Sequence, residues 1–133
     1  MSVRKPRVLS IEDDPEIIEL IRLILEPRGY EVMGRTSGED GLASARSFRP
    51  HLILLDLMMS GMDGWDVYRR LKQDPDLAAV PVVVVTAKAQ SIDKMLGLRI
   101  AKVDDYITKP FAPDELVRRV EGVLERRESR DMR

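Results

Sequence analysis

The chain contains no cysteine among its 133 residues, which excludes disulfides, thiolate metal sites and a cysteine nucleophile. Neither sign of charge is in excess: 22 Lys plus Arg face 23 Asp plus Glu, a net of −1. That balance argues against nucleic-acid binding driven by bulk charge. Long apolar runs are missing too. The longest, residues 52–55 and 82–85, are far too short to span a bilayer, and no apolar stretch of signal-peptide length precedes Glu12. The expectations are therefore no membrane, no direct nucleic acid and a cytoplasmic location. The only histidine, His51, begins an apolar run, where hydrophobic packing is expected around it and no role is assigned to it.

What is present is an ordinary soluble balance, 44% apolar and 34% charged, in a chain of the commonest single-domain size. A domain this long buries roughly two-thirds of its unfolded surface. Val8, Leu9, Ser10 and Ile11 form a short run that stops abruptly at Glu12, Asp13, Asp14 and Pro15. Asp14 then Pro15 reads as an N-cap and first helical position. Ile17, Ile18, Leu20, Ile21, Ile24 and Leu25 recur at helical spacing, and Pro27 and Gly29 stop that helix. Tyr30, Glu31, Val32 and Met33 read as a weaker, alternating strand at a sheet edge. Ser37 is placed to cap a helix running to about Phe48, with Leu42 and Ala45 inward.

Residues 51–55 form a buried strand ending at Asp56, followed by a loop over 58–64 and a helix carrying Val67, Tyr68 and Leu71. Pro81 introduces the β-branched run 82–85, which stops at Thr86. Residues 91–101 read as a helix, Asp105, Tyr106, Ile107 and Thr108 as a fifth strand, and Pro113 opens a last helix with Leu116, Val117, Val120, Val123 and Leu124 on one face. Strand and helix thus alternate five times without linker or repeat. Middle strands apolar on both faces suit a parallel sheet covered by helices, and right-handed crossovers make it an open, doubly wound α/β sheet. One domain over 1–133 is expected, with a core of about 7–127 and a charged tail at 128–133.

In such sheets, sites form at the carboxyl ends of strands where the winding switches. Glu12 and Asp13, Asp56, Thr86 and Lys109 each follow a strand-like run. Side by side, they would gather three carboxylates, a hydroxyl and an ammonium in one cleft. That set suits holding a divalent cation and a phosphoryl group. Singly, each has a plainer use: Asp13 or Asp14 as a helix cap, Asp56 as a turn former, Lys109 as a surface lysine. Jointly they favour the site.

At this point the chain resembles the receiver domain of bacterial two-component response regulators, over about residues 7–127. The resemblance rests on Ile11-Glu12-Asp13-Asp14-Pro15, Leu55-Asp56-Leu57-Met58, Met62-Asp63-Gly64, Val85-Thr86-Ala87 and Asp104-Asp105-Tyr106-Ile107-Thr108-Lys109-Pro110-Phe111, in order and at family-like spacing. It implies a CheY-like (flavodoxin-like) sheet of order 2-1-3-4-5 with five helices in three layers. It implies that Asp56 accepts a phosphoryl group from a histidine of a sensor kinase or phosphotransfer protein. Mg²⁺ or Mn²⁺ would be held by Asp13 and Asp56 directly, by Glu12 through water, and by the Met58 backbone carbonyl, a donor set that suits a hard cation. Lys109 would pair with the phosphoryl oxygens, and Thr86 would donate its hydroxyl to them, with small Ala87 leaving room beside the site.

The resemblance further implies that Tyr106 turns inward as Thr86 moves, biasing the surface of the fourth helix, fifth strand and fifth helix between two states. A downstream protein partner would read that surface. Pro110 is expected to follow a cis peptide. Lys94, Asp104, Asp105, Glu115, Arg119 and Arg126 resemble the charged positions through which OmpR/PhoB-type receivers form homodimers on that face, although exposed ion pairs contribute little singly. Met58 and Lys88 flank the path of the hydrolytic water in the family and are expected to tune the phosphoryl lifetime.

Three departures stand out. Ser60 replaces the usual proline, which is expected to loosen the loop after Asp56. The run 98–104 replaces the usual Gly-Ala before Asp-Asp and is one residue longer, and Ser10 places a hydroxyl that must find a partner within an apolar strand. Two other functions compete. A phosphatase working through an aspartyl phosphate wants a second acid two residues after the nucleophile, where this chain has Met58. A flavodoxin-like nucleotide binder wants a hydroxyl- or glycine-rich loop where it has Glu12, Asp13 and Asp14.

Overall fold

The computed structural model describes residues 5–87 and 103–131. Five strands, β1 (Arg7–Ile11), β2 (Glu31–Arg35), β3 (Leu52–Asp56), β4 (Val82–Ala87) and β5 (Asp105–Lys109), form one sheet of order β2-β1-β3-β4-β5, every neighbouring pair parallel. Four α-helices lie among the described residues: α1 (Pro15–Leu25), α2 (Gly38–Phe48), α3 (Gly64–Gln73) and α4 (Pro113–Asp131). The helix expected at 91–101, together with Lys88 and Lys94, lies outside them. The last helix continues through most of the charged stretch read as a tail.

Local chemistry explains where the helices begin. The Asp14 carboxylate accepts the Glu16 N–H at 2.9 Å, with Pro15 in the first turn. Ser37 Oγ accepts the Asp40 N–H at 3.1 Å, and Asp63 accepts the Trp65 N–H at 2.9 Å. Each satisfies one of the orphan donors of a helix start. A 3₁₀ turn, Glu26–Arg28, and Gly29 at φ 96° end α1, a left-handed position that glycine adopts without steric cost.

The middle strands bury both faces, and two cores result. On one side α1 and α4 set Ile21, Leu25, Leu116, Val117, Val120 and Val123 against Val8, Leu52, Leu54, Val83, Val85 and Ile107. On the other, α2 and α3 set Ala45, Val67, Tyr68 and Leu71 against Leu9, Ile11, Ile53, Leu55 and Val82. Three layers follow. Helix α2 sits closer to the sheet than its one leucine suggests. Leu42 is half-buried, whereas Gly41 faces Ile11 so closely that a Cβ there would lie 2.6 Å from Ile11 Cδ1.

Two expectations about polar groups fail. Ser10 Oγ is buried with no hydrogen-bond partner among the described residues, because both flanking strands use backbone groups for the ladder and present Gly34 and Leu54 beside it. His51 is exposed instead of packed in apolar surroundings. It stands one residue before β3, and its Nδ1 accepts the Arg7 N–H at 2.9 Å.

Candidate functional site

The carboxyl ends of β1, β3, β4 and β5 bring the expected residues to one edge. Register does this: Ile11 pairs with Leu55, Asp56 with Val85, Thr86 with Thr108 and Ala87 with Lys109. Glu12, one residue past β1, is therefore beside Asp56 at the end of β3. Glu12, Asp13 and Asp56 each offer a carboxylate oxygen within 4.8 Å of the others. Glu12, Asp56 and Thr86 are buried, Asp13 and Lys109 half-buried, Ala87 exposed.

Lys109 supplies the countercharge. Its Nζ lies 2.6 Å from Glu12 Oε1 and 3.4 Å from Asp56 Oδ2. The Glu12 contact is an ion pair by distance but poorly directed, since Oε1 has no aligned donor among the described residues. Burial pushes the Glu12 carboxyl up to about 7. Lys109 opposes that rise and the Asp56 charge adds to it. Lys109 is itself desolvated, which lowers its pKa, yet the close Glu12 carboxylate and the Asp56 charge outweigh burial and hold it above the usual lysine range.

Backbone amides orient the remaining oxygens. Asp56 Oδ1 accepts the Met58 N–H at 2.9 Å, and Glu12 Oε2 accepts the Asp14 N–H at 3.1 Å. Asp13 Oδ2 accepts from Ser60, both from the backbone N–H at 3.1 Å and from Oγ at 3.3 Å. Where a looser loop was expected, Ser60 ties it to the acidic cluster. Three carboxylates with one cation leave a net negative cleft with an under-satisfied buried oxygen, a donor set that fits a hard divalent ion. Met58 is the residue two after Asp56, and it offers no acid there.

The loop is set by a glycine at the start of α3. A Cβ on Gly64 would lie 2.5 Å from the Asp56 carbonyl oxygen and from Leu57 Cα, and backbone cannot yield as a flexible side chain does. Gly64→Ala should lower stability by about 2–3 kcal/mol, as overpacking does, read as a fall in the urea midpoint at unchanged m-value. An unchanged midpoint would show that α3 simply shifts outward.

Tyr106 is half-buried against Leu57 and Val84, with Trp65 and Val103 nearby, and the Arg119 guanidinium sits 5.6 Å from its ring centre. Lys109 and Pro110 are joined by a cis peptide. Four charged positions on this side, Asp104, Asp105, Glu115 and Arg119, are engaged within the chain. Arg119 pairs with Asp105 at 2.9 Å and Glu115 at 3.7 Å. Asp104 staples the start of β4, its carboxylate accepting the Val82 N–H at 2.8 Å. Arg126 lies beside Asp105, Arg118 and Arg119 around one shallow pocket.

Comparison with known proteins agrees with this geometry. The response regulator receiver domain family matches residues 8–121. The DNA-binding response regulator MtrA of Mycolicibacterium smegmatis is 41% identical over 128 residues, 96% of this chain and 54% of that protein. The DNA-binding dual master transcriptional regulator RpaA of Synechocystis is 43% identical over 121 residues, 91% of this chain and 50% of that one. The chain thus spans about half the length of these relatives. The CheY-like receiver domain protein of Methanospirillum hungatei superposes with a TM-score of 0.86 at 27% identity, covering 95% of this chain and 98% of its own.

Proposed function

Because the chain belongs to the response regulator receiver domain family, a family of signalling domains and not of turnover enzymes, we propose that it is a switch set by phosphorylation of Asp56. The observation that carries this reading is the placement of Asp56. It is a buried carboxylate at the end of the central strand, held by the Met58 amide, facing Lys109, and flanked by two further carboxylates. A carboxylate oxygen of Asp56 would attack the phosphorus of a phosphohistidine on a sensor kinase or phosphotransfer protein. The P–O bond forms, the P–N bond breaks, and the electron pair leaves with the imidazole nitrogen, which takes up a proton.

The chain's own residues ease each part of that step. Met58 N–H fixes the Asp56 rotamer, so attack needs no reorientation. Lys109 offsets charge as one anion approaches another. Glu12, Asp13, Asp56 and the Met58 carbonyl would hold Mg²⁺ or Mn²⁺, which when bound supplies the positive charge an anionic phosphoryl donor requires. The Thr86 hydroxyl, with room left by Ala87, would then donate to the phosphoryl oxygens while Tyr106 turns inward.

The output surface would comprise residues 91–101, β5 and α4, read by a downstream protein partner or by a second copy through Lys94, Asp104, Asp105, Glu115, Arg119 and Arg126. We infer a single receiver unit with its core over about 7–127, working in the cytoplasm and touching nucleic acid only through what it controls. The test is intact mass after incubation with acetyl phosphate. One phosphoryl group should be gained with Mg²⁺ present and none in EDTA. A chain that gains none from acetyl phosphate or from a panel of phosphorylated kinases, at saturating Mg²⁺, would overturn the reading.

A further inference from the structure

Asp13 is held from 47 positions away. Ser60 gives it two donors, the backbone N–H at 3.1 Å and the hydroxyl at 3.3 Å, both to Oδ2. Among the described residues nothing else bonds that carboxylate, and none of them donates to Oδ1. Asp13 is only half-buried; without these contacts its side chain would be free to leave the rotamer that faces Glu12 and Asp56. With Oδ2 fixed, the carboxylate stays within 4.8 Å of the other two. Metal-ligating carboxylates are held by such outer hydrogen bonds, and losing them weakens metal binding about 10- to 100-fold.

We propose that Ser60 is the positioning residue of the cation site: it orients Asp13 to receive a divalent ion, and does so from the loop that follows the phosphoacceptor. A proline here has neither an N–H nor a hydroxyl, so a chain with proline at this position must hold its acid otherwise. The inference rests on the reading that Glu12, Asp13 and Asp56 bind Mg²⁺. Distances rank the two donors. For N–H···O, 3.1 Å is within the usual range, whereas 3.3 Å is long for O–H···O; the amide carries most of the effect. The opposite effect, competition between Ser60 and the ion for Oδ2, predicts tighter binding when Ser60 is changed. It is disfavoured because both Ser60 donors go to Oδ2 and no described residue donates to Oδ1.

Mg²⁺ titration by calorimetry, on wild type, Ser60→Ala, Ser60→Thr and Ser60→Pro, tests this directly. Kd should rise about twofold in Ser60→Ala, stay near wild type in Ser60→Thr, and rise about tenfold in Ser60→Pro. The metal-free urea midpoint of Ser60→Ala should not move, which separates positioning from a general structural role. If Ser60→Pro fails to fold, Ser60→Ala against Ser60→Thr decides. Unchanged or tighter binding in both Ala and Pro variants would overturn the role of Ser60 while leaving the cation site standing. A wild type that binds no Mg²⁺ would overturn the cation site and the positioning role with it.

Discussion

Asp56→Asn should gain no phosphoryl group under conditions where the wild type gains one, and the metal-free variant should be more stable than the wild type. Loss of acceptance follows from chemistry. An amide oxygen carries no negative charge with which to attack phosphorus, and no other carboxylate at the site matches the placement of Asp56. Glu12 is occupied by Lys109 at 2.6 Å, and Asp13 is tied to Ser60. Gain of stability follows from crowding. Asp56 is buried, and its charge helps raise the pKa of Glu12. Asparagine keeps an oxygen for the Met58 N–H, loses only the longer of the two Lys109 contacts, and removes a charge that water no longer solvates. Removing one of three crowded carboxylates that share a single cation relieves like-charge repulsion, here by about 1–2 kcal/mol, or a few degrees in Tm. The Mg²⁺-dependent rise in Tm expected of the wild type should shrink sharply in the variant. A variant that melts below the wild type without metal would show that the Lys109–Asp56 attraction outweighs the crowding.

Much of this was legible along the chain because the chemistry sits where apolar runs stop. Glu12, Asp56, Thr86 and Lys109 each end or follow a strand whose period is visible, and a parallel sheet places such ends together. Helix starts were legible at Asp14 and Ser37 for the same local reason: a capping side chain bonds amides two or three residues away. What could not be read is what depends on distance in sequence. The Ser60–Asp13 contact spans 47 residues, and a serine in place of proline suggests only a freer backbone until its donors find an acceptor. His51 looked like part of a buried strand, yet the strand begins at Leu52 and the imidazole is turned outward to Arg7. The depth of α2 against the sheet is a matter of Gly41 meeting Ile11, a contact that no apolar period announces.

Lys109→Ala should be the variant whose stability depends most on pH and on metal. The ammonium is the one cation at the described cluster, facing Glu12 and Asp56. Removing one partner of a buried pair leaves the other uncompensated and costs about 3–5 kcal/mol. Lys109 is partly exposed, so about 3 kcal/mol at pH 8 is the expectation. The sign with pH is fixed by Glu12. Its pKa in the folded wild type is about 7 against an ordinary 4.5, so the stability linked to its proton is fully present below about 4.5 and lost as pH rises through 7. Without the lysine, which holds that pKa down, the folded value climbs further and the loss extends to higher pH. The deficit relative to wild type should therefore be small near pH 5, where Glu12 carries its proton in both proteins, and largest near pH 8. Saturating Mg²⁺ at pH 8 should recover part of it, because a divalent ion replaces the missing charge. Acetyl phosphate should still modify Asp56 in this variant, since nucleophile and carboxylate cluster remain. What should fail is the response of Trp65, the only tryptophan, which packs in the Leu57, Val84 and Tyr106 cluster and reports by fluorescence whether phosphorylation has reached that side of the sheet. A pH-independent deficit would locate the destabilisation in lost packing of the lysine stem, and a full Trp65 response would show that the switch runs without Lys109.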